Sequence, residues 1–225
     1  MTDADALAAL RTTLERRFRT VRTPVTVGED EVEILHPANA DDLISEADFV
    51  KDERLPYWAD LWPSALILAT IVADEPGMGR RLLELGCGSG LVTTAAAMAR
   101  FDTTATDYYE DALLFARVNA WHNAGATVSA RHVDWREFPA DLGVFDLVVA
   151  SDVLYERAYG ALVAQAYART IATRGRGLLA DPGRLAVPEF LDECERLELE
   201  VKKIDRVPYA SGEIRQTIDI YELRW

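Results

Sequence analysis

The stretch Leu82-Leu83-Glu84-Leu85-Gly86-Cys87-Gly88-Ser89-Gly90 decides the fold, because an apolar run ends there in a turn dense in glycine. Glycine permits a tight turn and lets a ligand approach the backbone closely. A dinucleotide fingerprint requires glycine three positions after Gly88, where Leu91 stands, and no Gly-Lys-Ser/Thr phosphate loop is present. Both nucleotide-binding interpretations are therefore weakened, and a generic turn between a strand and a helix remains an alternative.

Strand-like runs and helical patterns alternate from residue 81 onward, and two strand-like runs close the series. The runs predict strands at 81–85, 103–106, 127–133, 144–150, 177–180, 198–207 and 215–223. Helical spacing predicts helices at 91–100, 110–123, 157–171 and 187–197. Such alternation is typical of an α/β fold with a parallel sheet between layers of helices, in which ligands bind beyond the carboxyl ends of the strands.

The N-terminal part follows a different pattern. Leu7, Leu10, Leu14 and Phe18 recur at helical spacing and predict an amphipathic helix. Two strand-like runs follow at 21–27 and 31–36, and an acidic stretch at 41–53 leads to a segment rich in tryptophan. We predict an extension at 1–55 that packs on the core of a domain at 56–225.

Composition restricts the classes of function. The 225 residues include 49% hydrophobic and 28% charged residues, which is ordinary for a globular protein. The 24 Lys and Arg against 38 Asp and Glu leave a net charge of −14, which argues against a nucleic-acid partner. We therefore expect no nucleic acid among the partners.

Cysteine, histidine and the N-terminus bear on compartment and metal binding. Cys87 and Cys194 are too few for a disulfide framework, and the three histidines have no acid or cysteine at metal-ligand spacing. The N-terminus is acidic, and no apolar run reaches the roughly 18 to 20 residues that a membrane span needs. We expect a cytoplasmic monomer with no metal and no membrane partner, in which Cys87 packs rather than acts as a nucleophile.

Two acids follow the glycine turn at informative places. Asp107 ends the second strand of this region, about 20 residues after the glycines, where a carboxylate can accept hydrogen bonds from both ribose hydroxyls. Asp134 and Trp135 follow the third strand. A helix cap at Asp107 and a solvated loop acid at Asp134 are the alternatives. The match of all three features in strand order favours cofactor binding.

The glycine turn resembles motif I of class I S-adenosylmethionine-dependent methyltransferases in two features. It has the G-x-G-x-G spacing, and an acidic residue, Glu84, stands two positions before Gly86. The resemblance implies a Rossmann-like, doubly wound, mostly parallel seven-stranded sheet whose last strand is antiparallel. It also implies that S-adenosyl-L-methionine is the cofactor and S-adenosyl-L-homocysteine the product, with Asp134 receiving the adenine amino group beside Trp135. The implied cofactor-binding residues are Trp62, Glu84, Gly86, Cys87, Gly88, Gly90, Asp107, Tyr108, Asp134, Trp135 and Ser151.

The D-x-x-Y arrangement of Asp152 and Tyr155 after the fourth strand resembles the seven-β-strand protein lysine methyltransferases, also called family 16 or nicotinamide N-methyltransferase-like. Residues 56–65, which include Trp62, are similar to the segment before motif I in that family. Asp181-Pro182-Gly183-Arg184 is similar to the branch that methylates the electron transfer flavoprotein β subunit. The resemblance implies catalysis by Asp152 and Tyr155 on a lysine of a partner protein, for which that β subunit is a candidate.

Several alternatives stay open at this point. The same scaffold supports methyltransferases that act on small molecules, and a non-catalytic module that binds S-adenosylmethionine is a third hypothesis. The tryptophans of 56–65 are either core residues or part of a binding site. Arg184 either docks an acidic partner surface or is a solvated loop residue.

Overall fold

The computed structural model describes residues 2–43 and 56–225. Most of the acidic stretch predicted at 41–53 lies outside these residues. The first helix, α1 (Asp3–Arg17), begins with a reciprocal capping box, in which the Thr2 side chain accepts from the backbone of Asp5 and the Asp5 side chain accepts from the backbone of Thr2. The helix is followed by an antiparallel pair, β1 (Thr20–Val27) and β2 (Asp30–Pro37). The predicted helix and both strand-like runs of this part are confirmed.

Seven further strands form one sheet in the order β5-β4-β3-β6-β7-β9-β8. Strands β5, β4, β3, β6 and β7 are parallel, whereas β9 is antiparallel to both of its neighbours. The predicted mostly parallel sheet with an antiparallel last strand is confirmed. The strands are β3 (Arg81–Leu85), β4 (Asp102–Asp107), β5 (Ser129–His132), β6 (Phe145–Ser151), β7 (Ile171–Asp181), β8 (Glu200–Ser211) and β9 (Ile214–Arg224).

Helices cover both faces of this sheet. They are α2 (Pro63–Ala73), α3 (Leu91–Met98), α4 (Glu110–Ala124), α5 (Arg157–Thr170) and α6 (Val187–Arg196). Because side chains alternate along a strand, Leu82 of β3 packs with α2 and α3, whereas Leu83 and Leu85 pack with α5 and α6. This double layer fixes the strand ends that carry the candidate site.

Helix α2 is an element that the sequence patterns did not predict. The segment Pro63–Ala73 is apolar or small throughout, so it shows no polar face and no helical periodicity. Pro63 occupies the start of the helix, where its missing N–H costs nothing, and Leu68, Ala69 and Val72 are fully buried. The helix packs between the sheet and the β1–β2 pair, which explains why it is apolar all round.

Other differences concern the bounds of elements. Strand β7 begins at Ile171, directly after α5, rather than at residue 177, with a register irregularity opposite Phe145 and Leu147. Strand β8 continues to Ser211, four residues beyond its predicted end. Helix α3 ends at Met98 and is followed by Arg100 in a left-handed conformation, with a φ of 66°. Bulges and helix ends of this kind depend on tertiary contacts, which periodicity does not report.

The N-terminal elements contact the rest of the chain through α4 as well as through α2. The Asn119 side chain accepts from the backbone N–H of Leu35 at 2.9 Å and donates to its carbonyl at 2.8 Å, which extends the hydrogen bonding of β2. Arg17 donates to both carboxylate oxygens of Asp111, at 2.6 and 2.9 Å. The division into an extension at 1–55 and a domain at 56–225 stays a prediction.

Candidate active site

A cleft lies at the carboxyl ends of β3, β4 and β6, where ligands bind in folds of this class. It encloses about 1020 Å³ of empty space, including the part that opens to solvent. Twelve predicted site residues contribute to its wall. They are Trp62, Glu84, Gly86, Cys87, Gly88, Asp107, Tyr108, Asp134, Trp135, Ser151, Asp152 and Tyr155. The structure therefore brings together residues that are separated by up to 93 positions in the sequence.

The glycine turn between β3 and α3 approaches its neighbours closely. At Gly88, which has a φ of 51°, a Cβ would lie 3.1 Å from the carbonyl oxygen of Trp58. At Gly90, with a φ of 83°, a Cβ would lie 2.3 Å from the Cα of Ala116 on α4. Gly90 is not among the residues that line the cleft, and its close approach to Ala116 gives it a helix-packing role, while its contact with a cofactor stays a prediction.

Glu84 is buried at the base of the cleft, where 1% of its surface is exposed. The hydroxyl of Thr93 on α3 donates to its carboxyl group in a short hydrogen bond. Burial raises the pKa of Glu84 to about 8, and the nearby Asp107 adds to the increase. The folded protein therefore keeps Glu84 largely protonated at neutral pH until a cation approaches it.

Asp107 fixes the glycine turn to the end of β4. One carboxylate oxygen accepts from the backbone N–H of Gly88 at 2.9 Å, and the other accepts from that of Tyr109, also at 2.9 Å. Tyr109 and not Asp107 is the N-cap of α4, so the helix-cap alternative is wrong. Burial raises the pKa of Asp107, against these hydrogen bonds. The backbone of Tyr108 also hydrogen-bonds to Asp107. Because a carboxylate has about four acceptor positions, acceptor capacity remains for a hydroxyl group in the cleft.

Asp134 is held by an arginine that the sequence patterns did not single out. Its side chain accepts from the backbone N–H of Arg136 at 2.9 Å and from the guanidinium of that residue at 2.6 to 3.0 Å. The guanidinium carbon also lies 5.8 Å from the centre of the Tyr108 ring. Asp134 is therefore a fixed acceptor in the wall of the cleft, and the solvated-acid alternative is wrong.

The two tryptophans of the segment before the glycine turn have different environments. Trp58 is buried in a core cluster with Phe115, whose ring centre lies 5.6 Å away. Trp62 is half-buried in the cleft wall, and its indole N–H donates to the carbonyl of Tyr57 at 2.8 Å. Both alternatives for this segment therefore apply, since Trp58 is a core residue that also borders the cleft and Trp62 lies in the cleft wall.

Aromatic rings continue from Trp62 along the cleft. Tyr57 packs on Tyr155 with 5.3 Å between ring centres, and Tyr155 packs at the same distance on Tyr159. The Trp135 ring meets Tyr159 edge-on at 5.4 Å and lies against Gly86. Tyr57 and Tyr159 were missed by the sequence reasoning. The spacing of Tyr155 and Tyr159, four positions apart at the start of a helix, is the signal that could have identified Tyr159.

Asp152 lies at the end of β6 in a left-handed conformation, with a φ of 58°, which is uncommon for a residue other than glycine. One of its oxygens accepts from the Ser64 hydroxyl at 3.1 Å, and the other accepts from Nε of Arg184 at 2.5 Å. Both partners were missed as site residues. Because Arg184 pairs with Asp152, it is not a freely solvated loop residue, and docking of an acidic partner surface by this arginine stays a prediction.

Two further observations concern reactivity and metal binding. Burial raises the pKa of the Cys87 thiol, which leaves it uncharged and consistent with a packing role. Within residues 2–43 and 56–225, no group of three or more His, Cys, Asp or Glu side chains is arranged to hold a metal ion. No helix in the same ranges is long and apolar enough to cross a membrane.

Comparison with known proteins gives a family match and several relatives. Residues 82–175 match the methyltransferase domain. The electron transfer flavoprotein beta subunit lysine methyltransferase of Xenopus laevis is 32% identical, over 57% of this chain and 53% of that protein. Protein N-lysine methyltransferase METTL21A of Danio rerio is 32% identical over 49% of this chain and 55% of its own. The ubiquinone biosynthesis O-methyltransferase of Roseobacter denitrificans is 32% identical over 37% of this chain and 34% of its own.

The chain thus spans about half the length of the two lysine methyltransferases that it matches. Among solved structures, a putative S-adenosylmethionine-dependent methyltransferase from Streptococcus mutans superposes with a TM-score of 0.63 at 10% identity, covering 91% of this chain and 55% of that one. The predicted class I methyltransferase fold is confirmed.

The chemistry of the cleft fits the cofactor of this class. S-adenosylmethionine carries an adenine, two ribose hydroxyls and two positive centres. Asp134 and Asp107 are fixed acceptors, the Trp135 ring offers an aromatic face, and Glu84 is a buried carboxyl group that a cation would stabilise in its ionised form. A side chain at Gly88 would enter the space beside Trp58, so the turn keeps this wall of the cleft open.

Proposed function

We propose that this chain, which carries a class I S-adenosylmethionine-dependent methyltransferase domain, is an N-methyltransferase that acts on a lysine side chain of a partner protein. The observation that supports this most directly is the shared cleft, which contains Asp107 and Asp134 together with Asp152 and Tyr155. Cofactor groups and an acceptor group can therefore meet in one enclosed space.

In this proposal the cofactor lies along the ends of β3 and β4. Asp107 accepts from the ribose hydroxyls, and Asp134 accepts from the adenine amino group while Trp135 lies beside the ring. Glu84 faces the positively charged amino-acid end. Hydrogen bonds to a charged acceptor are stronger than neutral ones, so Asp107 is expected to contribute most to affinity.

The bound cofactor supplies an electrophilic methyl group on a positively charged sulfur. The chain must then hold an uncharged amine in line with that methyl group, and alignment of this kind supplies much of the rate. Asp152 and Tyr155 would orient the amine and accept its proton, directly or through water. Free lysine has a pKa near 10.4, so the site must also favour the neutral amine.

The partner is a finer part of the proposal. The names of the lysine methyltransferase relatives support a protein substrate and make the electron transfer flavoprotein β subunit the first candidate. We further propose that the chain acts as a monomer in the cytoplasm. Incubation of the purified β subunit with the protein and labelled cofactor tests the first point, and sedimentation of the protein tests the monomer.

A small-molecule methyltransferase is the second candidate function, because the O-methyltransferase of Roseobacter denitrificans matches part of the same region. Incubation of a cell lysate with methyl-labelled S-adenosylmethionine separates the possibilities. Label on lysine after acid hydrolysis of a protein band supports the proposed function. Label only in the small-molecule fraction supports the second candidate, and cofactor binding without transfer indicates a non-catalytic module.

A matched pair of variants makes this experiment specific. Asp152→Asn removes the carboxylate charge at the acceptor end, whereas Asp141→Asn changes a carboxylate whose side chain is 78% exposed. Only the first should abolish lysine labelling. If both variants label lysine at the wild-type rate, the acceptor site is not at Asp152.

A further inference from the structure

The Arg184 side chain lies between a carboxylate and an indole at the acceptor end of the cleft. Its Nε is 2.5 Å from Oδ1 of Asp152, and its guanidinium carbon is 5.3 Å from the centre of the Trp62 ring. The Asp152 side chain is only 2% exposed, whereas that of Arg184 is 32% exposed. A partly buried pair of opposite charges in this geometry interacts much more strongly than a pair on the open surface.

The loop after β7 holds Arg184 in place. One oxygen of Asp181 accepts from the backbone N–H groups of Gly183 and Arg184, at 2.7 and 2.6 Å. Gly183 has a φ of 89°, which lets the loop turn back toward β6. The Ser64 hydroxyl donates to the second oxygen of Asp152, so two different elements fix the carboxylate from both sides.

The arrangement addresses a chemical difficulty in the proposed reaction. An unpaired carboxylate next to a lysine favours the ammonium form, which has no lone pair for attack on a methyl group. A guanidinium stays protonated throughout the pH range of enzymes, so it neutralises the carboxylate without supplying a titrating group.

We infer that Arg184 is a positioning residue that neutralises Asp152, so that the acceptor amine is oriented by the carboxylate and yet stays uncharged. This inference rests on the proposed function and adds the means by which the site sets the protonation of its substrate. The chain forms the contact with side chains from three separate segments, which are α2, the residue after β6 and the loop after β7.

Other charged and titratable groups face the same region. Asp181 and Tyr57 lie near enough to Arg184 to act on its charge, and burial raises the pKa of Asp181 to about 6. Asp181 is thus mainly ionised at pH 7 to 8 and adds negative charge behind the pair. The cleft wall further contributes Asp60, Glu156, Tyr155 and Tyr159. Because these acidic groups favour the charged form of a nearby amine, the positive charge of Arg184 is needed to keep the amine neutral.

The pH dependence of turnover tests the inference on the lysine protein identified by labelling. With cofactor and substrate saturating, turnover rises with pH as the bound amine loses its proton. Arg184→Gln should move this rise about one pH unit higher, because a nearby positive charge is lost. Arg184→Lys keeps the charge and should leave the rise in turnover near the wild-type pH. The control Arg224→Gln should do the same, because Arg224 pairs with Glu222 at the carboxyl end of β9 and not with a residue of the cleft.

A loss of rate in Arg184→Gln with the rise at the wild-type pH would overturn the inference, because a merely structural role lowers turnover at every pH. Arg184→Met is a second neutral variant in case the first does not fold. Thermal unfolding of each variant establishes that it is folded before kinetics are measured.

A binding measurement tests the same charge without any methyl transfer. Titration of n-butylammonium into the protein with bound S-adenosylhomocysteine at pH 7 should give about tenfold tighter binding to Arg184→Gln than to the wild type, because the unpaired carboxylate attracts the cation. Equal or weaker binding would overturn the inference. Absence of lysine labelling by the wild type would instead overturn the proposed function, so the two failures are distinguishable.

Discussion

Replacement of Glu84 by glutamine should change how the stability of the cofactor-free protein depends on pH. The unfolded side chain ionises near 4.5, whereas burial raises the pKa of the folded one to about 8. Between these values the folded chain holds a proton that the unfolded chain has lost, so its free energy of unfolding falls as pH rises. The contribution is fully present below pH 4.5 and is lost as pH passes 8.

The size of the effect follows from the two pKa values. One pKa unit corresponds to about 1.4 kcal/mol, so a folded pKa of about 8 removes roughly 2 kcal/mol of wild-type stability between pH 6 and pH 8. Glu84→Gln keeps the shape of the side chain and an oxygen that accepts from the Thr93 hydroxyl, but it does not titrate. Groups that do not act on Glu84, such as Asp181, titrate alike in both proteins and cancel in the comparison, whereas the coupling of Glu84 to the charge of Asp107 is removed by the substitution and is part of the measured difference.

Urea unfolding at pH 6, 7 and 8 measures the effect. The difference in free energy between Glu84→Gln and the wild type should move in favour of the variant by about 2 kcal/mol across this range. Glu137→Gln, at an exposed position of the loop after β5, serves as the control. Its free energy of unfolding should depend on pH in the same way as that of the wild type. If the free energy of unfolding of Glu84→Gln also has the same pH dependence as that of the wild type, Glu84 is already ionised at pH 6 and the assigned effect of burial is wrong.

Three further predictions concern the cleft and its supporting turn. Asp107→Ala removes two charge-assisted hydrogen bonds to ribose and should weaken S-adenosylmethionine binding, measured by calorimetry, by on the order of 2 to 3 kcal/mol. Unchanged affinity in a folded variant would falsify the ribose assignment. Asp152→Asn and Tyr155→Phe should lower turnover far more than cofactor affinity; wild-type rates in both would exclude this pair from the acceptor site. Gly90→Ala places a Cβ 2.3 Å from Ala116 and should lower the unfolding temperature much more than Gly183→Ala, which has the same sign of φ and open space around it. A similar decrease in both glycine variants would mean that φ strain, not helix packing, explains Gly90.

Much of the candidate site could be predicted from the sequence because strand order determines which loops meet. The glycine turn, Asp107, Asp134 and Asp152 each begin within two residues of the end of a run that predicts a strand. In a parallel sheet the carboxyl ends of such runs lie at one edge, so residues distant in sequence converge without any knowledge of side-chain contacts. Their roles toward a cofactor and an acceptor remain predictions that the binding and kinetic experiments address.

The pairing of these acids could not be predicted in the same way. Arg184 reaches Asp152 from 32 positions away, and it does so because a left-handed glycine and two hydrogen bonds to Asp181 turn its loop. Such contacts depend on loop geometry, for which hydrophobic periodicity carries no signal. Helix α2 was missed for a related reason, since a segment that is apolar or small throughout has no polar face to reveal its period.

The acids of the cleft are compensated in different ways, and this difference assigns them different tasks in the proposed function. Backbone N–H groups satisfy Asp107, so it stays an acceptor for uncharged hydroxyls. Arginine neutralises Asp152, which suits an uncharged amine. Burial disfavours the ionised form of Glu84 despite the hydrogen bond from Thr93, so this carboxyl group gains most from an incoming positive charge. Binding of a cation beside Glu84 should accordingly release a proton near pH 7, and calorimetry in buffers of different ionisation enthalpy measures that release. Wild-type proton release by Glu84→Gln would place the linked group elsewhere in the cleft.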